Sequence, residues 1–115
     1  MERYPKSGPT SAPIIISDMD LHYERAYISI RLYTDGSYKN VATVSSGIVV
    51  FTASEKDGFY GPVSDGVIYA EKINDTNSYN RPYVTGEISS IKATFQDIPA
   101  GTHAIVTVSK FGGNP

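Results

Sequence analysis

The chain has 115 residues, a formal net charge of −2 from 10 basic and 12 acidic side chains, 40% hydrophobic and 19% charged residues, nine tyrosines, and neither cysteine nor tryptophan. The length suits one domain, and zero cysteines exclude a disulfide scaffold, a thiolate zinc site, an iron–sulfur cluster and a cysteine nucleophile. The charges are scattered without a basic stripe, which argues against a nucleic-acid partner, and the longest apolar runs, 14–16 and 48–51, are too short for a membrane span. The opening Met1-Glu2-Arg3-Tyr4-Pro5-Lys6 has no apolar signal core, so a protein made without export is expected.

Residues 1–13 carry Pro5, Gly8, Pro9 and Pro13. Proline fixes φ and removes an amide donor, so the stretch is expected to be an extended arm, apart from a body spanning 14–115. Strands and turns follow. Ile14-Ile15-Ile16 is a short β-branched run. Residues 23–34 alternate: Ala26, Ile28, Ile30 and Leu32 on one face, Tyr27, Ser29, Arg31 and Tyr33 on the other. Asp35-Gly36 then predicts a tight turn with positive φ. The near-continuous apolarity of 48–53 predicts a central strand, with Glu55-Lys56-Asp57-Gly58 as a charged hairpin tip. Phe59-Tyr60 and 67–70 read as two shorter strands separated by the turn clusters Gly61-Pro62 and Ser64-Asp65-Gly66. Residues 74–82 form a polar loop of the kind that carries contacts. Residues 85–95 predict one long strand, with Ile91, Ala93 and Phe95 sharing a face. Residues 102–109 alternate again, with Ala104, Val106 and Val108 inward and His103, Ile105 and Thr107 outward. The tail 111–115 is too Gly-rich to hold structure alone.

No window shows a helical period free of Gly, Pro or β-branched clusters. About seven short strands spaced by turns predict an all-β fold, a single antiparallel β-sandwich of immunoglobulin-like or jelly-roll arrangement.

Candidate chemistry is sparse. Asp18, Asp20 and His22 alternate and, if extended, point to one side, as a divalent metal site or an acid–base pair requires. They fall between two strands, where aspartates commonly serve as turn residues, and a solvated loop is the stronger reading. No serine sits in a Gly-x-Ser-x-Gly elbow or a Ser-x-x-Lys box, and no Gly-rich phosphate loop is present. The expectation is therefore no enzyme, no cofactor and no metal.

The tyrosines are more informative. Tyr27 and Tyr33 sit opposite an aliphatic face, and Tyr60, Tyr69, Tyr79 and Tyr83 gather around the polar loop. Tyrosine supplies a large rigid contact area and a hydroxyl, which suits a protein interface. Stacking on sugar rings is a second use. Tyr4, Pro5, Pro9 and Pro13 of the arm, with Tyr27, Tyr33 and Tyr79, are the expected partner contacts. The arm would add a strand to a neighbour's sheet edge, and deleting residues 1–13 is expected to weaken attachment without unfolding the body.

Four segments, taken in order, resemble a known family. They are Ser46-Gly47-Ile48-Val49-Val50-Phe51-Thr52-Ala53-Ser54, Val63-Ser64-Asp65-Gly66-Val67-Ile68-Tyr69-Ala70, Gly86-Glu87-Ile88-Ser89-Ser90-Ile91-Lys92-Ala93-Thr94 and Ile98-Pro99-Ala100-Gly101-Thr102-His103. The chain, over about residues 26 to 110, resembles small β-sandwich virion accessory proteins of tailed bacteriophages that decorate or cement the capsid. The resemblance implies a non-catalytic structural protein on the outside of the head, bridging capsid subunits after assembly in the host cytoplasm. Its partner would be the major capsid protein or another virion protein, and self-association as a homo-trimer at a symmetry axis fits such a particle. A neck or tail accessory protein, or a carbohydrate-binding β-sandwich module, are the alternatives.

Overall fold

The computed structural model describes residues 2–22, 25–54, 59–73, 83–84 and 87–110. The expected hairpin tip at 55–58, the polar loop with Tyr79 and the tail 111–115 lie outside the described residues. Among the described residues ten strands follow in order: β1 (Glu2–Pro9), β2 (Ile14–Ile16), β3 (Leu21–His22), β4 (Ala26–Tyr33), β5 (Ile48–Ser54), β6 (Tyr60–Tyr69), β7 (Tyr83–Val84), β8 (Glu87–Ile88), β9 (Ser90–Gln96) and β10 (His103–Lys110). The helical element among the described residues is one 3-10 turn, Ala70–Lys72. All strand pairs are antiparallel. The protein is an all-β sandwich. One sheet runs β1-β10-β4-β7, the other β6-β5-β9-β2, and they join where Ser64 of β6 pairs with Tyr83 of β7. β3 and β8 form a separate two-stranded ribbon.

Alternation builds the core. In β4, Ala26, Ile28, Ile30 and Leu32 are buried, and Ala104, Val106 and Val108 of β10 join them. The facing sheet supplies Val49, Phe51, Ile68, Ile91 and Ala93. Each large aliphatic or aromatic side chain in this layer contributes roughly 1.5–3 kcal/mol on removal from water. β5 lies between β6 and β9, the central position that its apolar run predicts.

Three expectations change. Residues 2–9 are extended, but as a strand of the sandwich instead of a separate arm. β1 pairs with β10 along its whole length, from Glu2 opposite Lys110 to Pro9 opposite His103. The prolines fit because of parity. The Thr10 amide donates to the Thr102 carbonyl at 2.9 Å, one step beyond that register. Even-numbered residues of β1 therefore face β10 in the ladder, and the amide sides of Pro5 and Pro9 face the open edge, where no donor is needed.

Second, the two short strands expected around Tyr60 and 67–70 are one strand, β6, interrupted by a bulge. Its ends pair with β5 on both sides of a register shift between Val50 and Thr52. Inside the bulge Asp65 takes a positive φ of 55°, and Gly66 lies so close to Val63 O that a Cβ there would come within 2.8 Å. Third, the long strand expected over 85–95 splits at Ser89. Its amide donates to Ser54 O while its carbonyl accepts from the Met19 amide, both at 2.9 Å, which steers β8 away from β9 and onto β3. The Asp35 turn also differs in detail. Asp35 Oδ1 accepts from the Ser37 amide at 2.9 Å, and it is Tyr38, not Gly36, that takes positive φ at 56°. This is an Asx-type turn.

Candidate functional site

The sandwich presents two outer faces of different chemistry. On the β1-β10-β4-β7 face, residues directly opposite each other form cross-strand rows. One end row is Arg3, Ser109, Tyr27 and Tyr83. Two middle rows are Pro5, Thr107 and Ser29, then Ser7, Ile105 and Arg31. The other end row is Pro9, His103 and Tyr33.

Both ends are aromatic. The Tyr27 and Tyr83 ring centroids lie 6.0 Å apart, and the Arg25 guanidinium sits 4.4 Å from the Tyr83 centroid. A hydrogen bond with Tyr27, followed by the charges of Tyr27 and Tyr83, pushes the Arg25 pKa up. At the far end Tyr33 meets Tyr38 edge-on at 5.5 Å, and Tyr38 meets His103 at 5.7 Å. His103 Nδ1 lies 3.0 Å from Gly101 O. A carbonyl only accepts, so this contact assigns the proton to Nδ1. Six residues of strand separate Tyr27 from Tyr33, or about 20 Å.

Between the aromatic ends lies a shallow hollow of ≈ 190 Å³ lined by Ser29, Ile30, Arg31, Tyr33, Ile105 and Thr107. Ser29 Oγ donates to Thr107 O across its floor at 3.4 Å. Arg31 Nε is buried there without a hydrogen-bond partner.

The opposite face, on β6-β5-β9-β2, carries exposed apolar side chains on β6 and β2 beside the polar Thr52, Lys92, Thr94 and Gln96. Val67 is 65% exposed and Tyr69 60%, with Tyr60 and Ile15 also at the surface. A hollow of ≈ 330 Å³ opens where the β6 bulge parts the strand, with Tyr60, Pro62 and Val67 among its walls and Val50 and Thr52 on β5 beneath. Tyr60 is braced from two sides. Its hydroxyl bonds Ser90 Oγ at 2.7 Å, and the Lys92 ammonium lies 4.3 Å from its ring centroid. Thr52 Oγ1 is buried without a partner.

The expected contact residues divide accordingly. Tyr27 and Tyr33 do stand outward, at the two ends of one face. Pro5 and Pro9 lie on the outer edge strand of that face, and Pro13 is exposed in the connection that carries the chain from one sheet to the other. Tyr4 does not join them, because its parity turns it inward, where it packs against the core. Sequence reasoning missed the exposure of Val67, along with the unpaired Nε of Arg31. Val67 and Tyr69 alternate with buried Ile68, but a three-residue stretch is too short for a period to declare itself.

The Asp18, Asp20, His22 alternation is broken in the backbone, since Asp18 has φ 59°. Among the described residues no group of three or more His, Asp or Glu is placed to hold a metal ion, and no helix is long and apolar enough to cross a membrane. Comparison with protein-family models and with curated proteins finds no match.

Proposed function

We propose that the protein is a non-catalytic structural component of a phage virion. It binds the outside of the capsid and ties neighbouring capsid subunits together, with the major capsid protein as partner. The observation that carries the binding role is the apolar face around the β6 bulge, with Val67 and Tyr69 more than half exposed beside a hollow of ≈ 330 Å³. Contiguous apolar surface rimmed by polar groups is characteristic of protein contacts, and rigid tyrosines with a preformed notch lower the ordering cost of binding. A bridging role needs a second surface, and the tyrosine-flanked face of β4 and β10 lies on the opposite side of the sandwich. The virion setting comes from the resemblance of the four strand–turn segments to phage head-decoration proteins.

Sedimentation tests the reading. Purified protein is incubated with heads, and separately with tails, of particles lacking it, then pelleted. Cosedimentation with heads is expected, and it should fall sharply for Val67→Asp, an exposed position where a charge does not disturb the core. Binding to tails alone assigns the neck or tail role. Unchanged binding of Val67→Asp to heads overturns the use of this face.

A further inference from the structure

We propose that the tyrosine-flanked face of β1, β10, β4 and β7 receives an acidic protein surface, with one partner carboxylate held by Arg31. This rests on the reading of the protein as a protein-binding bridge and adds the chemistry of one of its two partners' surfaces.

Charge carries the inference. The chain as a whole is acidic, with net charge −2. Yet the outward strand positions of this face are Arg3, Pro5, Ser7 and Pro9 on β1, His103, Ile105, Thr107 and Ser109 on β10, Tyr27, Ser29, Arg31 and Tyr33 on β4, and Tyr83 on β7. None is a carboxylate. Arg25 adds a further cation over Tyr83. Asp35 keeps its negative charge, but it lies past the Tyr33 end, in the turn after β4, with its carboxylate accepting from the Ser37 amide and hydroxyl. A face so depleted of negative charge, on a protein with an excess of it, repels cationic partners and attracts anionic ones.

Arg31 gives the attraction a place. It sits in one of the two middle rows, between Tyr27/Tyr83 and Tyr33/Tyr38, and its Nε–H is buried without an acceptor. That atom is closed to solvent, so an acceptor reaches it only as the side chain swings outward, and the cost of the unpaired donor favours that swing. Guanidinium and carboxylate pair side-on through two parallel N–H···O bonds, one of them from Nε. Ser29, Thr107 and Tyr33 line the same hollow. At ≈ 190 Å³ it is smaller than the roughly 300–1,000 Å³ of small-molecule sites, and it suits a single side chain. The aromatic ends, about 20 Å apart, then flank the carboxylate with flat contact surface on both sides. A partner segment laid along β4 with one aspartate or glutamate at its centre would bring its carboxylate to Arg31 between the two aromatic ends.

The test follows the side chain itself. The full chain, labelled with ¹⁵N, is titrated with poly-L-glutamate while the Arg31 Nε–H resonance and the amides of residues 29, 31, 33, 105 and 107 are observed. These signals are expected to shift together, and less so in high salt. Arg31→Lys keeps the charge but not the fork, and Arg31→Met keeps the aliphatic stem alone. Affinity is expected to fall about tenfold in the first and about a hundredfold in the second, with the amide spectrum elsewhere unchanged. Absence of any shift, or an Arg31→Met protein that binds as well as the parent, overturns the inference. So does heparin shifting the same resonances where poly-L-glutamate does not, which assigns the face to an anionic glycan.

Head sedimentation separates this failure from that of the bridging role. Binding lost in Val67→Asp but intact in Arg31→Met overturns the acidic partner and leaves the bridge standing. Binding intact in both overturns the bridge itself.

Discussion

Replacing Gly47 with alanine puts two separable penalties on one position. Gly47 has φ +107°, a backbone conformation that L side chains rarely adopt, at a cost of about 1–2 kcal/mol. A Cβ there would also lie 2.5 Å from Ile98 Cγ1 and 3.0 Å from the carbonyl oxygens of Asp97 and Gln96. The isoleucine can shift, but the two carbonyls belong to the end of β9 and the turn that follows, and such overpacking costs about 1–3 kcal/mol. Stiffening of the unfolded chain returns up to about 1 kcal/mol. The net loss is about 2–4 kcal/mol, which a domain stable by about 5–15 kcal/mol survives. At roughly 4 °C per kcal/mol for this size, Tm should fall by about 8–16 °C.

Two controls divide the effect. Gly101 also has positive φ, +87°, but a Cβ there meets nothing within 4 Å, so Gly101→Ala should show the backbone penalty alone, about 1 kcal/mol. At Gly61 a Cβ again meets nothing within 4 Å and φ is not positive, so Gly61→Ala should stabilise by about 0.4–1 kcal/mol. Urea unfolding followed by circular dichroism measures all three. Equal losses at Gly47 and Gly101 would refute the contact with the 96–98 turn, and no loss at Gly47 would refute the backbone geometry as well.

Phe51→Ala, at the largest fully buried side chain, should cost about 3–5 kcal/mol in the same unfolding assay; a loss under about 1 kcal/mol would mean that the two sheets close over the gap. Deleting residues 2–9 should lower Tm and promote aggregation, visible by light scattering, because it bares the hydrogen-bonding edge of β10; a truncated protein as stable as the parent contradicts the pairing of β1. The Asp35 carboxyl is held below the ordinary aspartate range, first by the Ser37 hydroxyl and then by the Ser37 amide. Its folded pKa is depressed, so its support of the turn is complete above the ordinary aspartate value and is lost as pH falls through the lowered one. The Ser37 amide shift, followed by NMR, should report that low midpoint, and Ser37→Ala should bring the Asp35 titration back up.

What was legible in the chain depended on how local the cause was. β4 and β10 could be read residue by residue because one of their faces meets the core and the other does not, so hydrophobicity alternates over eight positions. Tyr27 and Tyr33 stand outward for that same reason. β1 could not be read this way. Its prolines argue against a strand unless one knows that their amide sides meet no partner, and that depends on a strand about a hundred residues away. The β6 bulge hid behind its own chemistry, since Ser64-Asp65-Gly66 has the composition of a turn that ends a strand, yet here Ser64 is handed to β7 and the strand resumes. The apolar outer face was concealed in a different manner. Ile48 and Val50 point outward from β5 within an unbroken apolar run, so the sequence showed centrality but not which positions reach the surface. For Arg31 the alternation gave the direction. That its Nε lacks an acceptor is a property of the neighbours on β10 and β4 assembled around it, which no spacing reports.

The seating of β10 between β1 and β4 bears on how the chain comes to be folded at all. Both neighbours of β10 leave the ribosome long before it does. The bond from Thr10 to Thr102 already joins positions 92 residues apart, so the loop must close at nearly its full entropic cost before β1 gains a partner, and until then β4 has only the two-residue β7 beside it. Topology dominated by such distant pairings folds slowly, on the millisecond-to-second scale typical of β-sandwiches. During synthesis the inward residues of β4 are therefore first exposed without a covering sheet, and they lack their long flanking strand until β10 emerges. Whatever shields Ile28, Ile30 and Leu32 in that interval, whether early collapse against β5 or a chaperone, governs the yield of native protein more than the stability of the finished sandwich does.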